Sequence, residues 1–233
     1  MNHPITYLWS QQRIQFIKTH LFVYDEAKRR ILSQFNNIED EATEIENKYL
    51  SEGSSHYYYN EIDPSSIYED AFEKGYEYYD LLSNMKIQVQ LNTLSLIFHH
   101  WNTTLRDWLA KELSHSFKDD FVEKIAYSQN IKTVYDFFNE LDWSVELQPF
   151  FKKLDAMRLI VNIYKHGNGK SLEDLRKNYP QYLNKEKTNS DFFPSLLQHS
   201  DLKVTEEHID EFSDSIISFW QNIPEYLYLK KEA

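Results

Sequence analysis

The sequence contains no cysteine, and this absence is the first constraint that it sets. Without cysteine the chain forms no disulfide and offers no thiolate as a nucleophile or a metal ligand. A lack of disulfides is typical of the reducing cytoplasm, so we expect a cytoplasmic protein. The N-terminal residues, MNHPITYLWSQQR, lack the positive start and apolar run of a signal peptide. No stretch approaches about 18 consecutive apolar residues, and we therefore expect no membrane span.

Glycine and proline are also scarce, with 4 and 6 residues respectively among 233. Because both residues interrupt helices, their scarcity favours long helices over a fold of strands and turns. Hydrophobic residues make up 41% of the chain and aromatic residues 16%, which is enough for a sizeable core. We therefore predict an all-α protein with a single domain over residues 1–233. Its parts are N-terminal long helices at 1–50, a core at 65–180, and a loop with a C-terminal helix at 181–233.

Positively charged residues are fewer than negatively charged ones: the chain has 25 Lys and Arg and 37 Asp and Glu, so its net charge is −12. A general nucleic-acid binder is usually basic, because neutralising phosphates supplies much of its affinity. The chain as a whole does not have this balance. Any contact with RNA or DNA would have to be local or shared with a basic partner, and a solvated acidic surface is the simplest interpretation.

Apolar residues recur at helical spacing along most of the chain. The pattern predicts helices over these segments: 5–49 (one or two, with a break near Phe35), 66–114 (one very long helix or two nearly continuous ones), 117–142 (two, split near Ser128), about 145–166, 171–179, and a last helix from Thr205 to about Asn222. Residues 51–64 are the clearest loop, and their three adjacent tyrosines are interpreted as packing on the domain or on a second subunit.

Helix-capping residues accompany several of these boundaries. Ser66 with Glu69, and Ser171 with Asp174, have the spacing of a capping box. Ser144 is a candidate N-cap for the helix at 145–166. Thr205 is a candidate N-cap for the last helix, but His208 occupies the position where Glu or Gln completes the box, so we predict an incomplete box.

The most distinctive stretch runs from Leu154 to Ser171, LDAMRLIVNIYKHGNGKS. On a helical projection its polar residues fall within an arc of about 100°. We call this set the polar stripe: Asp155, Arg158, Asn162, Lys165 and His166. Nearly all other positions before Gly167 are apolar, so we expect most of this helix to be buried, packed against the second half of the 66–114 helix, and ended by Gly167 in the left-handed (αL) conformation.

Several familiar sites do not fit this sequence. Gly167-Asn168-Gly169-Lys170-Ser171 resembles a phosphate loop, but Tyr164 stands where that motif needs its first glycine, and a helix rather than a strand precedes it. There is no HExxH motif and no nucleophile elbow. His99 and His100 are adjacent and therefore lack the spacing of paired metal ligands. We predict no metal and no cofactor, and we interpret His100 as a hydrogen-bonded core histidine or a neighbour of the polar stripe.

The polar stripe has two interpretations. It is either an internal ion-pair network anchored by Asp155 or a site that acts on phosphate. In the second case an arginine holds a phosphate or stabilises developing charge, and a nearby histidine serves as general acid or base. With an asparagine to orient a phosphate or a 2′-hydroxyl, these groups suffice for RNA cleavage without a metal ion.

This layout, with Arg158 and His166 near the end of a buried helix, resembles the HEPN superfamily over roughly residues 85–180. The resemblance implies a helical bundle. Many HEPN proteins are ribonucleases of toxin–antitoxin, CRISPR and phage-defence systems, and they usually act as dimers that bring two Arg-x4–6-His motifs together. Here seven residues separate Arg158 from His166, one more than the usual maximum, and Leu159 replaces the polar residue that often follows the arginine. Asn162 shares a face with both residues.

The resemblance implies a metal-independent endoribonuclease of a bacterial defence or toxin–antitoxin type system, acting as a homodimer on RNA. In this interpretation Arg158, Asn162 and His166 are the catalytic residues, and His166 is the acid or base. A positive rim of Lys165, Lys170 and Arg176, extended by Lys177, binds the substrate. The alternative is a non-catalytic HEPN-like protein-interaction module or regulatory subunit, since some members of the superfamily have lost catalysis.

Overall fold

The computed structural model describes residues 3–54, 64–184 and 199–230. These residues are mostly helical, which confirms the all-α prediction. They also include two strands that the sequence analysis did not predict, β1 (Thr6–Tyr7) and β2 (Tyr226–Leu227). The strands pair antiparallel with Thr6 opposite Leu227, so they join segments from opposite ends of the sequence.

The helices in the described ranges are α1 (Ser10–Arg30), α2 (Ile38–Ser54), α3 (Pro64–Ser114), α4 (Asp119–Ala126), α5 (Ile131–Glu140), α6 (Phe151–His166), α7 (Lys170–Asn178) and α8 (Glu206–Asn222). Helix α3 is continuous over 51 residues, so the longer of the two alternatives is confirmed. The predicted split near Ser128 is also confirmed, because it falls between α4 and α5. The predicted loop at 51–64 is helical as far as Ser54, and its tyrosines lie outside the described residues.

The starts of α6 and α3 differ from the predictions. Helix α6 begins at Phe151 rather than near Val145, because Gln148, which precedes Pro149, has extended backbone angles (φ −79°, ψ 144°). A residue before proline is disfavoured in the helical region, so residues 145–147 form only a 3-10 turn. Helix α3 begins at Pro64, a residue favoured at the first helical position, so Ser66 lies inside the helix.

The N-cap prediction for α7 was wrong, whereas at α8 the predicted N-cap Thr205 is confirmed and only the prediction of an incomplete capping box was wrong. Helix α7 begins at Lys170 with Gly169 as its N-cap, so Ser171 does not cap it. At α8 the box is complete: the Thr205 hydroxyl accepts from the backbone N–H of His208 (3.3 Å), and His208 Nδ1 accepts from the backbone N–H of Thr205 (3.2 Å). An unprotonated imidazole nitrogen thus replaces the usual carboxylate or amide oxygen.

The chain divides into two compact units, which are residues 1–25 with 91–233 and residues 26–90. Their borders fall inside α1 and α3, and so they do not coincide with the predicted segments 1–50, 65–180 and 181–233. The prediction of a single folding domain stays a prediction. The polar stripe belongs to the larger unit.

The core of the larger unit is built around the aromatic residues of α8. The ring of Phe219 lies 5.3 Å from that of Trp101 on α3 and 5.5 Å from that of Trp143. Trp220 contacts Trp108 edge-on at 6.2 Å, and both indoles are almost fully buried. Helix α6 packs most extensively on α7 and α8, whereas the second half of α3 enters the core through its tryptophans.

Candidate functional site

Helix α6 is buried on most of its surface, as its composition predicts. Its apolar side chains are at most 1% exposed at every position from Leu154 to Ile163 that carries one. The polar stripe faces the remaining direction, and its exposure increases along the helix: Asp155, Arg158 and Asn162 are half-buried, whereas Lys165 and His166 are exposed. The stripe therefore has an inner part and an outer part with different surroundings.

The inner part is an ion pair with a third partner. Arg158 donates to Asp155 Oδ1 from Nε (2.9 Å) and from Nη2 (2.6 Å). The other carboxylate oxygen, Oδ2, accepts a hydrogen bond (3.1 Å) from the hydroxyl of Tyr179, the residue that directly follows α7. The side chains of Asp155 and Arg158 are each 16% exposed, so the pair is largely covered but is not sealed from solvent. This arrangement matches the internal network that was one of the two interpretations of the stripe.

Burial and charge around this network perturb two tyrosines. Burial raises the pKa of Tyr179 to about 12, and the Asp155 carboxylate acts in the same direction. Burial also raises the pKa of Tyr135 on α5, with the guanidinium of Arg158 opposing the shift. The Tyr135 hydroxyl is buried and has no hydrogen-bond partner among the described residues. Both phenols therefore stay neutral at physiological pH, and Tyr179 acts as a hydrogen-bond donor to Asp155.

The outer part of the stripe lies where α6 ends. Gly167 has φ 75° and ψ −148°, and its N–H donates to the carbonyl of Ile163 at 2.8 Å. A positive φ at this residue was predicted, but the ψ value lies outside the αL region that the prediction named. Lys165, His166 and Lys170 are all exposed around this turn. The side chains of Asn162 and His166 make no hydrogen bond to any residue that the structure describes.

A histidine of α3 interacts electrostatically with the outer part, and it is His99 rather than His100, the residue interpreted from the sequence as a core histidine or a neighbour of the stripe. His99 is half-buried, and its pKa is lowered by burial and then by the charge of Lys165. The charge of His100 acts instead on His20 and contributes to the lowered pKa of that residue. No sequence signal distinguished the two, because adjacent helical residues point about 100° apart and only the neighbouring helices decide which one faces α6.

A second polar pair, between α1 and α8, is sealed. His20 Nε2 lies 2.9 Å from the Ser213 hydroxyl, and the two residues are 1% and 2% exposed. The pKa of His20 is lowered to about 4, mainly by burial and then by the charge of His100, while a hydrogen bond with Ser213 opposes the shift. Such a pair has the reach of a nucleophile and its base, but no substrate can reach it.

An open cleft lies beside the inner part of the stripe. Its volume is about 890 Å³, and its walls come from α6, α7, α8 and the turn after Tyr179. Three lysines (Lys152, Lys153, Lys177) share it with two glutamates, and Lys153 pairs with Glu211 at 3.1 Å. Tyr179 connects the cleft to the inner part of the stripe, because it lines the cleft and also donates a hydrogen bond to Asp155. Sequence reasoning missed the cleft because its residues are distant along the chain.

Within the described ranges no helix is long and apolar enough to cross a membrane, and no three metal-ligating side chains lie together. Comparisons of the chain with protein-family models, with curated proteins and with solved structures find no match. The site is therefore interpreted from its own geometry.

Proposed function

We propose that this chain is a HEPN-like helical protein that cleaves RNA without a metal ion, as a homodimer, in the manner of toxin–antitoxin and phage-defence ribonucleases. The observation that carries the proposal is the exposure of Lys165, His166 and Lys170 around the end of α6, where the charge of Lys165 also acts on the pKa of His99. Residues 156–177 contain five Lys and Arg and two Asp and Glu, a positive segment in an acidic chain. Arg176 and Lys177, both exposed on α7, extend it.

The cationic groups suit a phosphodiester. Metal-independent cleavage begins when a base removes the proton of the 2′-hydroxyl, whose oxygen attacks phosphorus. The bond to the 5′-oxygen then breaks, an acid protonates that oxygen, and a 2′,3′-cyclic phosphate remains. His166 is the acid or base, and Lys165 and Lys170 bind the phosphate and its developing charge. His99 is a second histidine for proton transfer, and its lowered pKa keeps it in the neutral form that a base requires.

The ion pair changes the role expected for Arg158. Because two of its N–H groups are engaged by Asp155, this guanidinium meets the substrate only through its remaining N–H groups. In the proposal Arg158 holds the phosphate from the inner side of the site, and Asp155 with Tyr179 fixes its orientation. Asn162, half-buried between Arg158 and His166 along the stripe, orients the RNA.

The test is cleavage of fluorescent RNA by the purified full chain in EDTA, comparing wild type with His166→Ala, Arg158→Ala and His99→Ala. His115→Ala is the matched control, because His115 is also exposed and lies just beyond the end of α3. Circular dichroism verifies that each variant is folded. The proposal requires cleavage to fall by about 100-fold or more in folded His166→Ala and to persist in the control. The RNA products should carry 2′,3′-cyclic phosphate ends.

One observation favours a second function, a non-catalytic HEPN-like module that binds a protein partner. The Asp155–Arg158–Tyr179 network uses the arginine internally, as a structural ion pair would. In that case wild type cleaves no RNA, while Arg158→Ala and Asp155→Ala each lower the free energy of unfolding, since each leaves a half-buried charge without its partner. Absence of cleavage together with this loss of stability would replace the ribonuclease with the binding module.

A further inference from the structure

The smaller unit contains an aromatic surface that no other described residue covers. Tyr68, Phe72 and Tyr76 recur every four residues on α3, and each is 63% exposed. We call this set the aromatic stripe. Residues four apart on a helix are neighbours on one face, so the three rings form a continuous apolar surface. Large aromatic side chains in this number and order are unusual on a free surface, and they are typical of interaction sites.

A groove between α2 and α3 continues this surface. It has a volume of about 170 Å³, and its walls include Phe72, Tyr76 and Tyr79 from α3. Gly75 makes the groove possible, because a Cβ there would lie 3.2 Å from both the carbonyl oxygen of Ala42 and the Cβ of Glu46. The absence of a side chain lets the two helices approach closely while the rings on either side of the glycine stand outward.

The charge around the rings has one sign. Residues 38–54 and 64–90 contain eleven Asp and Glu against three Lys, a net charge of −8 out of −12 for the whole chain. Glu69, Glu73 and Glu77 lie exposed between the rings along α3. Lys74 is the lysine nearest to the rings in sequence, and it pairs with Glu77 at 2.9 Å. The groove itself is lined by Glu39 and Glu46 as well as by the rings.

We propose that the aromatic stripe and this groove bind a basic amphipathic segment of another protein, with arginine or lysine and aliphatic residues on its binding face. A guanidinium seated on Phe72 or Tyr76 would gain a cation–π contact, and the adjacent carboxylate of Glu46 would pair with its charge. Aliphatic side chains of the segment cover the ring surface that remains. The acidic surroundings steer such a segment towards the site and disfavour acidic partners.

The same charge argues against a second copy of this chain as the occupant. Two copies meeting at this surface would bring net charges of −8 and −8 together, and like charges placed opposite each other across an interface oppose association. The inference is independent of RNA cleavage, because it concerns α2 and residues 64–90 of α3 in the smaller unit, whereas the polar stripe lies in the larger one.

The test measures binding of a labelled helical peptide with arginine on one face and leucine on the other to the full chain, by fluorescence anisotropy. Two control peptides separate the components of binding: one has glutamate in place of arginine, and one has serine in place of leucine. The stripe variant is Phe72→Ser with Tyr76→Ser. Its matched control is Leu81→Ser with Met85→Ser, which replaces two α3 residues that are also exposed, at 62% and 55%.

We expect the arginine–leucine peptide to bind more tightly than either control peptide. We also expect the stripe variant to weaken binding by about tenfold or more while Leu81→Ser with Met85→Ser leaves it unchanged. Raising the salt concentration should weaken binding, because exposed charges are screened. Equal binding by stripe and control variants overturns the proposal, as does a peptide without leucine that binds equally well. A dimer that the stripe variant dissociates, with no peptide binding, would assign the surface to a second copy instead.

Discussion

The buried histidine of α1 predicts how the stability of this protein responds to acid. His20 is 1% exposed, its Nε2 lies 2.9 Å from Ser213 Oγ, and its Nδ1 has no partner among the described residues. Protonation would place a charge in this buried position, where no carboxylate of the described residues acts on His20. The pKa of His20 in the folded protein is accordingly about 4, below its ordinary value of 6.5.

The sign of the effect follows from the two pKa values. Between about pH 6.5 and pH 4 the unfolded chain takes up a proton at His20 and the folded chain does not. Acid therefore favours the unfolded state, and the free energy of unfolding falls as pH decreases through this window. One pKa unit corresponds to about 1.4 kcal/mol, so the fall reaches about 3 kcal/mol at pH 4. His100 adds to it, because its own pKa is lowered by burial and its charge acts on His20.

The measurement is urea unfolding followed by circular dichroism at several pH values, for wild type and His20→Gln. Glutamine keeps a hydrogen-bonding group that can reach Ser213 and does not protonate. We expect the variant to be less stable at pH 7, because it fits the cavity less well, and the difference from wild type to shrink by about 1.4 kcal/mol per pH unit below 6.5. Taking the difference between the two proteins removes the contribution of carboxylates common to both.

A matched variant, His115→Gln, places the same substitution at an exposed histidine. Its free energy of unfolding should depend on pH in the same way as that of wild type. If the stability difference between wild type and His20→Gln stays constant from pH 7 to pH 4, His20 titrates normally in the folded protein. The burial argument would then be wrong.

Two further predictions concern helix ends. Gly167→Ala should lower the free energy of unfolding by about 1 kcal/mol or more, because φ is 75° at this residue. Gly169→Ala should lower it much less, because φ there is an extended 168°. Thermal unfolding of both variants tests this difference. Thr205→Ala should cost about 1 kcal/mol by removing the hydroxyl that accepts from His208 N–H, and an unchanged melting temperature would show that the capping box of α8 contributes nothing.

Local sequence patterns predicted the helices well, because each pattern acts through neighbours a few residues away. The continuous α3, the split between α4 and α5, and the burial of most of α6 all follow from apolar spacing. The start of α6 was misplaced although its cause is also local, since Pro149 restricts Gln148 and that restriction ends the 3-10 turn before the helix begins.

The polar stripe was predictable, and so was an ion pair anchored by Asp155 as one of its two interpretations, but the third partner of that pair was not. Helical periodicity alone places Asp155, Arg158 and His166 on one side of α6. Asp155 and Arg158 are three residues apart on one helix, a spacing that permits the pair, whereas Tyr179 is 24 residues from Asp155 and reaches the carboxylate only because α7 packs against α6. The choice between His99 and His100 likewise depends on which helices lie beside α3.

The sequence by itself determined the all-α class, the positions of the long helices, and a helix with one polar face. Tertiary structure alone decided that half of this face is an internal ion pair and half is open, that His20 meets Ser213 across 193 residues, and that lysines from separate helices share one cleft. The physical reason is the range of the interactions. Backbone hydrogen bonds and apolar periodicity are satisfied within a helix, whereas a buried charge or hydroxyl must find its partner wherever packing brings one within hydrogen-bonding distance.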